Sequence, residues 1–439
     1  MTYSEATEYL FEKTANYEKQ GVNGYKEGLD TMLMLDKHFG HPHTKFRSIH
    51  VAGTNGKGSV SHTIAAQLQV CGYKVGLFTS PHLVDFRERI RINGVLIPEE
   101  YVTQFVEKEH DFFDTLSPSF FEITTAMAFK YFSEQNVDIA VIEVGLGGRL
   151  DSTNIITPIL SVITNVSLDH TQLLGSSLEK IAYEKAGIMK KGVPCVIGEA
   201  PPELRTVYDV VAAEKGTTIV YAEDPVVIER AEPLAEGKGL HYRTIYGIEF
   251  DGELQGLCQE KNTNTVLYAT RELMNMGYLC DCEKPENVEV IQQEMTRAFM
   301  NVTQLTGLRG RWQTIREKPT VVCDTGHNTG AWEYINRQLA AIECHELRIV
   351  IGILEDKDVY TIMSQLPKEA TYFYAKSSSH RAMPETTLKV IGDQFGLHGE
   401  SYPTVAEAFQ AAIQGAQSDD FIFVGGSNYV VADFMKSRQ

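Results

Sequence analysis

No stretch of this 439-residue chain approaches the roughly 20 consecutive apolar residues that a membrane-spanning helix requires. The first twenty residues carry acids and no continuous apolar segment, so neither a signal peptide nor a transit peptide is expected there. Basic charge is in deficit: 40 Lys and Arg stand against 58 Asp and Glu, a formal net charge of −18. A field of that sign repels polyanions at long range, so neither nucleic acid nor an anionic membrane is an expected partner. Small anions could still bind, but a few local donors must then oppose the charge of the whole molecule. Cysteine is sparse and scattered, and Cys280 and Cys282 stand too close together, without companions, for a zinc pattern. Reduced thiols in a cytoplasmic protein are the expectation. With only 15 Pro and 35 Gly, and no repeat or low-complexity tract, collagen-like and linker-like chains are excluded.

What is present is the composition of a folded protein, 43% hydrophobic and 22% charged, at a length that suggests two domains. Apolar runs of strand length recur in the first half, at Ser48–Ala52, Lys74–Phe78, Asp138–Val144, Ile159–Thr164 and Pro194–Ile197, with helical patterns between them. That alternation predicts an α/β fold with a parallel sheet. Four of the runs lead into polar or glycine-rich turns: Gly53–Ser59, Thr79–His82, Gly145–Arg149 and Asn165–His170. Ligands of open parallel sheets bind at the carboxyl ends of strands, so these turns point to one shared site. An antiparallel excursion is expected at His241–Leu254 and a helix near Glu286–Gln304. A hinge is expected at Gly307–Gly310, with domains at 1–303 and 304–439. Alternation then resumes at Thr320–Cys323, Arg348–Ile353, Thr371–Ala375 and Phe421–Val424, predicting a smaller Rossmann-like α/β domain.

The strongest local signal is His50-Val51-Ala52-Gly53-Thr54-Asn55-Gly56-Lys57-Gly58-Ser59, a strand entering a glycine turn with a helix beginning at the serine. Such a turn aims backbone N–H groups at a phosphate, lets Lys57 reach the β and γ oxygens, and lets Ser59 face Mg²⁺. The match to the usual P-loop is imperfect, since Val51 replaces its first Gly and Gly58 follows the Lys. Glu143 ends an apolar run, a position from which a carboxylate reaches a metal held by phosphates. The glycines after it, Gly145, Gly147 and Gly148, suggest close approach of a ligand to the backbone. His170 fits a metal ligand, a base or a surface histidine. Lys185 reads by default as an ordinary helix lysine; desolvated beside dications, it could instead take up CO₂ as an anionic carbamate. In the second half, Asp324 could take a ribose hydroxyl, and Arg311 could lie over phosphates once the domains close.

Taken together and in order, these segments resemble the folylpolyglutamate synthase and dihydrofolate synthase family, within the Mur-type ATP-dependent amide ligases. The resemblance is carried also by Thr79-Ser80-Pro81-His82-Leu83, Glu88-Arg89-Ile90, Phe121-Glu122, Glu143 to Asp151, Glu184 to Ile188, Gln259 to Asn262, and Asp356-Lys357-Asp358. It implies a P-loop ATPase domain followed by a smaller glutamate ligase domain. It further implies that Thr54, Asn55, Gly56, Lys57, Gly58 and Ser59 cradle the ATP phosphates, and that Ser80 and Glu143 hold one Mg²⁺. His170, with Glu143 and a carbamylated Lys185, would hold a second. Asn262 would contact adenine, while Arg311 and Asp324 would reach ATP across the interdomain cleft. The pterin would lie near Ser119, Phe120, Phe121 and Glu122, and near Leu150, Asp151 and Ser152, with Asp151 facing its amines; His327 would serve the second-domain side.

The expected substrates are ATP, L-glutamate and dihydropteroate or reduced folates, acted on by a monomer. Two departures from the family pattern, Thr325-Gly326 and Leu354-Glu355, leave the charged groups intact. The alternatives are a Mur-type peptidoglycan precursor ligase, disfavoured by the 52 residues before Gly53, and a non-catalytic nucleotide-binding relative.

Overall fold

All five apolar runs of the first half become strands of one sheet, and the alternation of their side chains explains why both faces are covered. The computed structural model describes residues 1–12, 14, 28–234, 238–279 and 288–438. Cys280, Cys282 and the first two residues of the expected 286–304 helix lie outside that set. The sheet comprises β1 (Arg47–Ala52), β2 (Val75–Phe78), β3 (Ile90–Ile92), β4 (Val95–Leu96), β5 (Ile139–Glu143), β6 (Leu160–Ile163), β7 (Cys195–Ile197) and β8 (Ile219–Tyr221). Their order is β4-β3-β2-β5-β1-β6-β7-β8, parallel except where β3 and β4 turn back at one edge. The expected runs account for β1, β2, β5, β6 and β7. The short strands β3, β4 and β8 lie toward the sheet edges, where two or three residues give too little alternation to read.

Along β1, Ile49 and Val51 join Leu77, Val141 and Val162 in a core covered by Val60, Ile64 and Leu68 of the helix Lys57–Val70. One residue out of phase, Phe78, Ala140 and Ile142 face the opposite core, which is filled by Ile123, Met127, Phe129 and Phe132 of the helix Phe120–Glu134. This period-2 partition is why near-continuous apolar runs mark the central strands of a doubly covered sheet. The antiparallel excursion is present as β9 (Ile228–Pro233), β10 (Leu240–Thr244) and β11 (Glu249–Gly252). Helices Val288–Phe299 and Val302–Thr306 follow it.

The second sheet is built from β12 (Gln313–Glu317), β13 (Thr320–Asp324), β14 (Leu347–Ile351), β15 (Thr371–Ala375), β16 (Gly399–Tyr402) and β17 (Phe421–Gly425). Its order is β12-β13-β17-β14-β15-β16, with β12 alone antiparallel. The edge strands β12 and β16 escaped the reading because neither carries an apolar run, and no residue of either is buried. The chain divides into two compact units, Met1–His82, Phe86–Glu253 and Gln259–Leu308 against Leu83–Asp85, Leu254–Cys258 and Arg309–Gln439.

Candidate active site

In the first unit the glycine turn leaves β1 at Gly53, and the following helix opens at Lys57, two residues before the expected serine. Gly56 caps that helix with φ +81°, a left-handed conformation natural to glycine, and a side chain there would collide with Asn262 Oδ1 at 2.3 Å. Asn262, from the helix Gln259–Asn275, is thereby set directly against the turn. Its amide donates to Gln259 Oε1 at 3.0 Å, and Gln259 in turn donates to Ser59 Oγ at 3.4 Å.

The turn is braced from the loop after β6. Thr54 N donates to Asn165 O at 2.9 Å, Asn55 N to Asn165 Oδ1 at 2.9 Å, and Thr164 Oγ1 to Asn55 O at 2.6 Å. Ser167 N donates to Thr54 Oγ1 at 3.1 Å. Lys57 Nζ curls back onto the carbonyls of Gly53 and Thr54, each at 3.0 Å.

Lys185 reaches the same place. It lies in the last turn of the helix Leu178–Ala186, is 3% exposed, and donates from Nζ to Gly53 O at 2.8 Å. Burial, reinforced by the neighbouring Lys57 charge, lowers its pKa to about 7 against the opposing pull of Asp169 and Asp151. An amine with its pKa near 7 is substantially deprotonated at neutral pH, and that neutral fraction is a nucleophile. Glu143, at the carboxyl end of β5, is buried, and its Oε2 accepts from Ser80 N at 3.1 Å, joining two of the expected metal-binding residues. His170 caps the short helix Thr171–Leu174 in the left-handed region, with Nε2 at 3.9 Å from Asp169 Oδ2.

The glycines after Glu143 have protein neighbours that account for them. A Cβ on Gly145 would strike the Phe121 ring at 2.5 Å, one on Gly147 would meet Leu174 at 2.9 Å, and one on Gly148 would meet Glu184 O at 2.8 Å. Close packing of the loop against adjoining helices therefore requires them, and no ligand need be invoked.

Of the two segments expected at the pterin, the first opens the helix Phe120–Glu134, which packs against the turn Ser152–Ile155 that follows Asp151. Ser119 and Glu122 form a capping box: Ser119 N donates to Glu122 Oε2 at 2.7 Å and Glu122 N to Ser119 Oγ at 3.3 Å. Phe120 is buried, stacked on Phe11 at 4.8 Å, with the Arg89 guanidinium 5.0 Å over its ring. Asp151 caps the turn Ser152–Ile155, while Leu150 lies partly exposed beside it. One Asp151 oxygen accepts from Leu146 N at 2.9 Å, the other from Thr153 N at 3.0 Å and from the Thr153 hydroxyl. Burial raises its pKa against these bonds.

Sequence reasoning missed the extension of this network. Thr153 Oγ1 also accepts from Nε2 of His50, at 2.8 Å; burial pushes the His50 pKa down to about 3, so the ring is neutral. A histidine inside an apolar strand was the available signal. The braces Asn165 and Ser167 carried a weaker one, their place at a strand's carboxyl end.

In the second unit, Arg311, Asp324 and His327 gather where β13 ends. Arg311 Nη1 donates to the Thr325 hydroxyl and to Gly310 O, the latter at 3.2 Å. Asp324 accepts from Trp312 N and Gly326 N, each at 2.7 Å; burial raises its pKa while the Arg311 charge opposes the shift. His327 Nδ1 lies 3.0 Å from Thr325 O.

The Mur ligase middle domain matches residues 51–227, and the Mur ligase glutamate ligase domain matches residues 310–428. The dihydrofolate synthase/folylpolyglutamate synthase of Bacillus subtilis is 32% identical over 423 residues, covering 94% of this chain and 95% of the relative. The chain belongs to this ligase family. The ligase also resembles the solved Escherichia coli FolC in complex with DHPP and ADP, at TM-score 0.81 and 30% identity over 99% of this chain and 97% of that one. A bifunctional folylpolyglutamate synthase/dihydrofolate synthase with Mn, AMPPNP and L-glutamate bound gives TM-score 0.79 and 26% identity, over 100% and 98% of the two chains. The ligase is accordingly an ATP-dependent, ADP-forming amide ligase with the α/β architecture expected from its sequence. Similarity from end to end displaces the peptidoglycan precursor alternative, which rests on likeness of the middle domain. No helix among the described residues is long and apolar enough to cross a membrane.

Proposed function

We propose that this ligase, a monomeric cytoplasmic enzyme, joins L-glutamate both to dihydropteroate and to the glutamate tail of reduced folates, converting ATP to ADP and phosphate. The supporting observation is the concentration of the phosphate-type turn, the buried Glu143 beside Ser80, and the buried Lys185 on Gly53 O, in a chain that matches a bifunctional relative throughout. A carboxylate and an ammonium do not condense in water, so the acid must be activated. The substrate carboxylate attacks the γ-phosphorus of ATP, forming an acyl phosphate and releasing ADP; the free amine of glutamate then attacks the acyl carbon and phosphate leaves.

In this reading Thr54 to Ser59 bind the phosphates, with Lys57 offsetting charge on the transferred group. Asn262 contacts adenine, and Arg311 and Asp324 bind ATP. His327 serves the glutamate ligase unit, residues 304–439. Residues 119–122 and 150–152 take the pterin, with Asp151 exchanging its present bonds for the pterin amines. Hard oxygen donors at Ser80 and Glu143 suit Mg²⁺. They would hold one ion, and His170, Glu143 and a carbamylated Lys185 a second. Such cations, when bound, neutralise phosphate charge.

Purified protein offered dihydropteroate or tetrahydrofolate with glutamate and ATP, and read out by product mass, should extend both. ADP release that responds to neither acceptor nor glutamate would exclude the reading.

A further inference from the structure

A second cluster of ligating side chains lies in the first unit, outside every segment assigned above. Asp36, on the helix Asp30–His38, is 2% exposed, and its two carboxylate oxygens are each met by a histidine. His41 Nδ1 lies 2.6 Å from Oδ2, and His43 Nδ1 lies 2.6 Å from Oδ1. The backbone is turned to achieve this. His41 adopts the left-handed conformation, φ 56° and ψ 55°, its N–H donates to Asp36 O at 2.8 Å, and the turn Pro42–Thr44 then carries His43 back to the same carboxylate. The donor atoms all fall within 4.8 Å of one another, and no other trio of His, Cys, Asp or Glu donors among the described residues gathers so tightly.

We propose that Asp36, His41 and His43 form a binding site for a divalent transition metal of the zinc class, separate from the ligase site. Two imidazoles and one carboxylate are a donor set that favours zinc, cobalt or nickel over magnesium. To share one ion at about 2.0–2.2 Å in tetrahedral geometry, each histidine nitrogen must part from the carboxylate oxygen it now meets by somewhat under 1 Å, roughly. Solvent reaches the cluster through His41, whose side chain is 57% exposed, so an ion can enter and water can complete its shell. His38 is not a further ligand: its Nε2 meets Glu109 at 2.7 Å and its ring stacks on Phe112. The bound ion ties the helix Asp30–His38 to the turn that leads into β1 and the phosphate-type loop.

The test uses full-length protein stripped with chelator and titrated with Co²⁺ alone, without nucleotide. The expected result is ligand-field absorption saturating at one equivalent, displaced by Zn²⁺ but not by excess Mg²⁺, and lost in His41→Gln/His43→Gln. A melting curve in metal-free buffer establishes that the double variant folds; should it not, His41→Gln alone, with its exposed side chain, carries the test. Absence of the band in the native chain, or its persistence in the histidine variants, overturns the proposal and leaves the cluster a hydrogen-bonded clamp. Loss of the band in His170→Gln, with its retention in His41→Gln/His43→Gln, overturns it as well.

Discussion

The two units present their proposed site residues at strand ends in opposite ways. In the first, Thr54 and Asn55 lean on Asn165 and Ser167, Gly53 receives Lys185, and Gly56 lies under Asn262, so each partner lies more than a hundred residues away along the chain. In the second, Arg311, Asp324 and His327 come from one short stretch, tied by Thr325 N to Gly310 O at 3.0 Å and by Trp312 N to Asp324. A phosphate cradle made of amides must be rigid before the ligand arrives, because its donors contribute only if no energy is spent on aligning them. Long-range bracing supplies that rigidity. A local cluster needs less, since two strand-end turns can close it on their own.

The contrast predicts where substitution does most harm. Lys57→Ala in the first unit should reduce kcat/KM by roughly 10²–10³-fold, the scale set by losing one preorganised charge partner; a fall no larger than that of Arg311→Ala would erase the distinction between the units. Lys185→Ala should lose most ligation, with partial recovery on adding short-chain carboxylic acids if the missing group is a carbamate. Its pH dependence carries a sign. Burial holds the amine's pKa near 7, below its ordinary value, so the neutral form that takes up CO₂ prevails above that pH, and ligation should rise as pH increases through about 7. A flat profile in that range, or near-normal activity of the unrescued variant, counts against the carbamate. The smallest effects are on stability. Gly56→Ala and Gly310→Ala each force a left-handed residue, φ +81° and +68°, costing roughly 1–2 kcal/mol. The added methyl meets Asn262 Oδ1 at 2.3 Å in the first case and Thr325 Cγ2 at 2.9 Å in the second. Denaturant titration should therefore show the larger loss for Gly56→Ala, and ATP affinity should fall with it.

The same contrast explains what was legible in advance. Central strands such as β1, β5 and β17 were readable because burial on both faces demands uninterrupted apolar residues. Edge strands such as β12 and β16 were not, since one exposed side relaxes that demand. Glu143 and Asp324 were readable as acids ending apolar runs. Gly145, Gly147 and Gly148 were only partly readable, because a glycine records close approach without recording whether the neighbour is a ligand or, as the packing shows, also Phe121, Leu174 and Glu184. The Asp36, His41 and His43 cluster is not legible in the sequence, because D-x₄-H-x-H as a whole fits neither helical nor strand spacing, and only the left-handed turn at His41 closes it.

By itself the sequence determined the alternating α/β order, the phosphate-type turn with Lys57, and the ligase family, for these depend on local periodicity and on residues adjacent in the chain. Only the tertiary structure decided that Lys185 is buried on Gly53, that Asn262 lies over Gly56, and that His50 supports Asp151 through Thr153. The physical reason is desolvation. The same lysine is a fixed cation in water and, with burial lowering its pKa to about 7, a substantially deprotonated amine in the interior, and which of these it becomes depends on what the rest of the chain packs around it.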